Sequence, residues 1–192
     1  MRNKSRLLSH ALLLSFVVLL AGVYTSLQAQ DRMTIQATAR GTSTQMGKMF
    51  DVNILIQQLS TPDDQKALIE AFNRSGQQGL VDALDHMKAK GRIRFANGGV
   101  GNDIKHIIEL PSDNGRRFRL VTDRTLAFGE LYNSTRSTDY SVGAIELTIT
   151  TDGKGSGTLL PACKLKLNKQ KQIEIEAFQN PWDLNNFMIS KD

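Results

Sequence analysis

The sequence predicts an α+β fold, with a mainly antiparallel and curved sheet of about eight strands and a helix pair packed on it. Three observations carry this. Short runs with an apolar residue at every second position recur along the chain, which is the period of a half-buried strand. Turn-forming pairs separate them, Asn114-Gly115 being the plainest hairpin signal. Two amphipathic stripes at helical spacing interrupt the strand pattern after its first part.

The first element is not part of the fold. Arg2, Lys4 and Arg6 precede an uncharged stretch over residues 7–24, whose apolar heart is 11–23, and Thr25-Ser26-Leu27-Gln28 lead to the small Ala29. A basic start, a short apolar run and a small residue before the first acid are the parts of a secretory signal. The apolar heart is shorter than the roughly 20 residues of a spanning helix. The expected organisation is therefore a signal peptide over 1–29 and one globular domain over 30–192, exported to the periplasm or outside the cell, with no stable membrane span after cleavage.

The remaining elements follow in order. Thr34 to Ala39 is β-prone, and Phe50, Val52, Ile54 and Ile56 alternate onto one face of a second strand. Thr61-Pro62-Asp63-Asp64 starts a helix with a capping hydroxyl, a proline in the first turn and acids at the positive end. Leu68, Ala71 and Phe72 form its stripe. Gly76 and Gly79 bracket a break, and Leu80, Ala83, Leu84 and Met87 form the stripe of a second helix, with Lys88 and Lys90 in its last turn and Gly91 ending it. Strands are then expected at 92–95, 104–110, 116–122, 145–149, 159–167 and 173–176, with an irregular segment over 123–142. Trp182 is expected to pack on the sheet near the C-terminus.

The charge of +5 and pI near 9.4 overstate the basicity of the domain. The signal takes three of the 24 basic residues and no acid, so 21 remain against 19, a net of +2. That is no footprint for nucleic acid. The single Cys163 permits no internal disulfide, so 163 residues must be held by a core.

Few residues suggest chemistry. The glycine-rich run at 97–102 precedes a strand rather than a helix, so it reads as a loop and not a phosphate cradle. Alternation sets His106 with Ile104, Ile108 and Leu110, as a partly buried histidine or as a general base with Asp123 or Glu109. His86 follows Asp82 by four residues and can pair with it. Cys163 falls with Leu165 and Leu167 and reads as a core thiol. Arg117 and Arg119 share one strand face, as do Arg92 and Arg94, Lys164 and Lys166, and Glu174 and Glu176. These are either cross-strand ion pairs or a surface for an anionic partner. In the irregular segment Asp123, Arg124, Arg136, Asp139 and Tyr140 combine charge with an aromatic ring in a loop, where binding residues concentrate. Asn133-Ser134-Thr135 matches a glycosylation sequon. No metal ligand set and no cofactor signature is present.

The words Thr38-Ala39-Arg40-Gly41, Gly91-Arg92-Ile93, Val121-Thr122-Asp123-Arg124, Phe128-Gly129-Glu130 and Arg136-Ser137-Thr138-Asp139-Tyr140 are spread over most of the domain. In these words the chain resembles a group of short exported bacterial proteins of unknown function. The resemblance implies a bacterial exported domain and no activity.

The expectation is thus an exported, non-enzymatic domain that binds a small molecule or a cell-envelope partner and no nucleic acid. A curved antiparallel sheet can enclose a pocket. The candidate binding residues are Arg117, Arg119, Asp123, Arg124, Arg136, Asp139 and Tyr140. The alternatives are a hydrolase using His106 with a nearby carboxylate, and a purely structural interaction module.

Overall fold

The alternating runs become strands that pair with their sequence neighbours, each hairpin adding one strand to a growing sheet. In the computed structural model the described residues are 32–96, 100–126, 140–169, 172–177 and 180–191. The signal, the sequon, Arg136, Asp139 and most of the irregular segment lie outside them. Among the described residues there are nine strands: β1 (Met33–Gly41), β2 (Met49–Ile56), β3 (Gly91–Phe95), β4 (Asn102–Leu110), β5 (Arg116–Thr122), β6 (Val142–Ile149), β7 (Gly155–Leu167), β8 (Ile173–Ala177) and β9 (Trp182–Lys191).

Their order is β6-β5-β4-β3-β2-β1-β9-β7-β8, every pair is antiparallel, and β6 also pairs with β7. That last pairing joins the ends, so eight strands form a closed barrel and β8 hangs outside it. The expected α+β fold, a curved sheet with a helix pair packed on it, is thereby corrected to a closed, mostly β architecture with one helix. The cause is β9, which the sequence pattern did not mark. It enters between β1 and β7 and completes the ring.

Strand β7 serves two structures. Gly157–Leu159 pair with β9, while Cys163–Leu167 pair with β8. The switch falls at Pro161, beside the irregularity in the β6–β7 ladder. Proline has no N–H for the ladder and is tolerated at such breaks. Beyond it, β7 and β8 form an arm that leaves the barrel wall.

An eight-stranded barrel is just wide enough for side chains to fill. Here Ile35, Ile54, Ile93, Phe118, Leu147 and Leu184 are fully buried within one cluster that occupies the interior. Phe50 stacks between Phe95 and Trp182, with ring centroids 5.7 and 4.9 Å away. Trp182 is thus an interior residue of β9. At one end Arg116 holds Glu109 at 2.7 and 2.9 Å and lies over the Phe118 ring at 4.7 Å.

A second core lies on the outer wall. Val121 and Ala144 alternate with the interior Leu120 and Ile145, so they face outward, and they meet Leu68, Leu80 and Leu84 of the helix together with Cys163, Leu165 and Ile173. The helix, α1 (Pro62–His86), begins as the sequence predicts: Thr61 and Asp64 exchange hydrogen bonds in a capping box. The two expected helices are one helix with a kink at Ser75 and Gly76, where Gly76 takes φ +60°. The kink is severe. A straight helix would separate Asp64 from His86 by roughly 33 Å. Yet Lys90, just beyond the helix, pairs with Asp64 at 2.8 Å, and a Cβ on Gly79 would strike the carbonyl of Ala71. Lys90 therefore does not sit in the last turn, as its position suggests, but ties the helix start to the entry of β3. Among the described residues no helix is long and apolar enough to cross a membrane.

Candidate functional site

The register of β5, β6, β7 and β9 lays polar side chains in rows across the outer wall. Arg119 is opposite Glu146, Glu146 opposite Thr158, and Thr158 opposite Asp183. Arg117, Thr148 and Ser156 form the parallel row. With strands about 4.8 Å apart, four of them carry the first row over about 14 Å and three carry the second over about 10 Å. These positions alternate with the buried Phe118, Leu120, Leu147, Leu159 and Leu184, so the packed interior is what turns them outward.

The rows floor an open groove of about 570 Å³, with Ser112 and Asp113 at one side and Asn185 at another. Glu146 is its anchor. Arg117 donates to Oε2 at 2.9 Å, and Arg119 donates to Oε1 from Nε at 2.9 Å and from Nη2 at 2.7 Å. Burial alone would raise the Glu146 carboxyl, but these two guanidinium groups outweigh it and hold it below the usual glutamate range. Arg119 also donates to the carbonyl of Ile173 at 2.7 Å, which fastens the β8 arm to the barrel. The arginine pair is thus built around an acid on the neighbouring strand. Arg117 still lines the groove and is the more open of the two.

The other predicted site residues are placed apart. Asp123 and Arg124 follow the far end of β5, roughly 20 Å along the strand from Arg117. Burial raises the Asp123 carboxyl against the opposing pull of Arg124 and Lys105. Arg124 donates to the carbonyl of Gly101 at 3.3 Å. Tyr140 donates to Glu176 at 3.3 Å on the β8 arm, where Glu176 also pairs with Lys166. Arg136 and Asp139 lie outside the described residues. The five described ones do not gather in one place. Glu146, Thr148, Ser156, Thr158, Asp183 and Asn185 were missed. Glu146 and Thr148 alternate with the apolar Ile145, Leu147 and Ile149, but nothing local says which strands become neighbours.

His106 is 1 % exposed. The β4–β5 ladder slips between Ile104 and His106. The slip places Lys105 outside, where its amine donates to the carbonyl of Met87 at 3.0 Å, and it separates His106 from the interior Ile104. The expected grouping with Ile108 and Leu110 remains, and these three line a cleft of about 350 Å³. Burial pushes the imidazole down to about 4, with Asp64 pulling up and Lys90 down. Its Nδ1 has no hydrogen-bond partner, and among the described residues no carboxylate bonds to it. A hydrolytic base needs both a proton path and an orienting partner. His86 bonds to the backbone carbonyl of Asp82 at 2.7 Å, while the Asp82 carboxylate accepts from Gln78. Cys163 is free and fully buried, and burial pushes its thiol up to about 12. Among the described residues no three His, Cys, Asp or Glu side chains gather as metal ligands.

No protein-family model, curated protein or solved structure matches the chain.

Proposed function

We propose that the chain is an exported, non-enzymatic binding domain that holds a hydroxyl-rich polymer of the cell envelope on its outer barrel wall. One observation carries this reading: the barrel interior is filled by its own side chains, which leaves the outside for a partner, and the groove of about 570 Å³ there is polar. Thr148, Ser156 and Thr158 offer hydroxyls that both donate and accept. Asp183 and Asn185 add acceptors and an amide, and Arg117 adds a donor. A flat row of such groups suits a partner that presents many hydroxyls along its length. Export rests on the leader, residues 1–29.

The test is amide chemical-shift mapping of the purified protein with soluble oligosaccharide fragments of peptidoglycan. The expected result is saturable shifts at Thr148, Ser156, Thr158 and Asp183, lost in Thr158→Trp, which fills the groove from an outward-facing position. Absence of saturable shifts, or binding that survives Thr158→Trp, overturns the reading.

A further inference from the structure

The cleft beside His106 is a different site from the groove. It opens where three elements meet: the outer wall of β4, the segment that leads into α1, and the start of β8. Leu59, Ile108 and Ile173 supply apolar walls, and Gln65 and Gln172 line it with side-chain amides. The volume of about 350 Å³ falls within the range of small-molecule pockets.

Most polar groups near this cleft are already committed. The Ser60 hydroxyl accepts from the Ile107 N–H at 3.0 Å. Arg119 is spent on Glu146 and Ile173. Lys90 is spent on Asp64. His106 Nδ1 is the exception, a buried ring nitrogen with no partner inside the protein. Buried polar atoms are nearly always satisfied, because stripping one of water without a replacement is unfavourable. The imidazole that carries it lines a cleft large enough to admit a satisfying group from outside.

We propose that this cleft binds a small, uncharged organic molecule that carries one hydrogen-bonding group, seated with that group on His106 Nδ1 and its apolar body against Leu59, Ile108 and Ile173. The charge follows from the neighbours. An anion would enter a half-apolar cleft whose cations are already paired, and a cation would face an imidazole that burial keeps neutral. A neutral hydroxyl meets a neutral ring nitrogen without either penalty. This site meets the groove only at Pro111 and at Arg119, the end of one row, and its three probes differ from the polymer fragments, so it stands or falls independently of the polymer reading.

The test uses the purified protein and three probes: phenol, toluene and benzoate. The nitrogen resonances of the His106 ring and the amides of Ile108 and Ile173 are followed during titration. Phenol is expected to shift all three saturably, with toluene and benzoate each about tenfold weaker, the worth of one hydrogen bond. His106→Phe is expected to erase the preference for phenol over toluene while its far-ultraviolet circular dichroism stays native. The ring-nitrogen shift in the unaltered protein provides the same test without a variant. The proposal is overturned by no saturable shift with phenol, by equal binding of phenol and toluene to the unaltered protein, or by a crystal structure in which phenol leaves a water in place on Nδ1.

Discussion

Acidification should weaken this protein through His106 before it reaches most of the carboxylates. Burial pushes the folded imidazole down to about 4 from an unfolded value of 6.5. Below 6.5 the unfolded chain takes up a proton that the folded chain refuses until about 4. The stability is therefore whole above 6.5 and is lost as the pH falls toward 4. The gap corresponds to about 3 kcal/mol in full, and to about 2 kcal/mol by about pH 5. The charged groups that act on the ring are Asp64 at the start of α1 and Lys90 beyond its end. Asp64 and Glu146 are held below their ordinary values, so their contributions fade only below about 4.5, outside this window. Asp123 is raised and acts with the opposite sign, favouring the folded state on acidification. Comparing the protein with His106→Phe cancels that contribution. The assay is urea unfolding at about pH 7.5 and about pH 5. The unaltered protein should lose about 2 kcal/mol more than the variant over this interval. Equal losses, or a folded-state titration of His106 near 6.5 by NMR, would refute the reasoning.

Two more outcomes follow from packing. A Cβ on Gly155 would run into Phe187 at Cβ, Cγ and Cδ2, close to the root of that side chain where no rotamer change relieves it. Gly155→Ala should cost about 1–3 kcal/mol in urea unfolding, and Phe187→Leu in the same chain should return part of it. A neutral Gly155→Ala would show that Phe187 does not lie over β7. The Cys163 thiol is fully buried and pushed up to about 12. A thiol reagent at about pH 8 should label it only after denaturation, and rapid labelling of the native protein would place it elsewhere.

Much of the secondary structure was legible because it is local. Phe50 to Ile56 alternates cleanly and becomes β2. Thr61 to Asp64 supplies both halves of a capping box and starts α1. Cys163 reads as a core thiol from its alternation with Leu165, and it is one. The misreadings have physical reasons. At His106 the ladder slips by one residue, and a slip of one moves a side chain to the other face, which no periodicity argument sees in advance. In β9 the pattern begins with Trp182 and Leu184, then breaks at Asn186, whose φ of 57° resets the alternation before Phe187. Asn and Asp are also poor strand formers, so the segment carried no strand signal.

By itself, then, the sequence determined the strands other than β9, the helix start, and which residues of each of those strands are polar. Those follow from neighbours a few positions away. Tertiary structure decided closure. Whether β9 leaves β1 with a free edge or carries the sheet round to β7 depends on β1–β9 pairings between residues more than a hundred positions apart. Closure in turn set everything that bears on function. It filled the interior, and it set Glu146 opposite Thr158 where β6 meets β7. It also aligned Thr158 with Asp183 across two strands that are not consecutive in the chain.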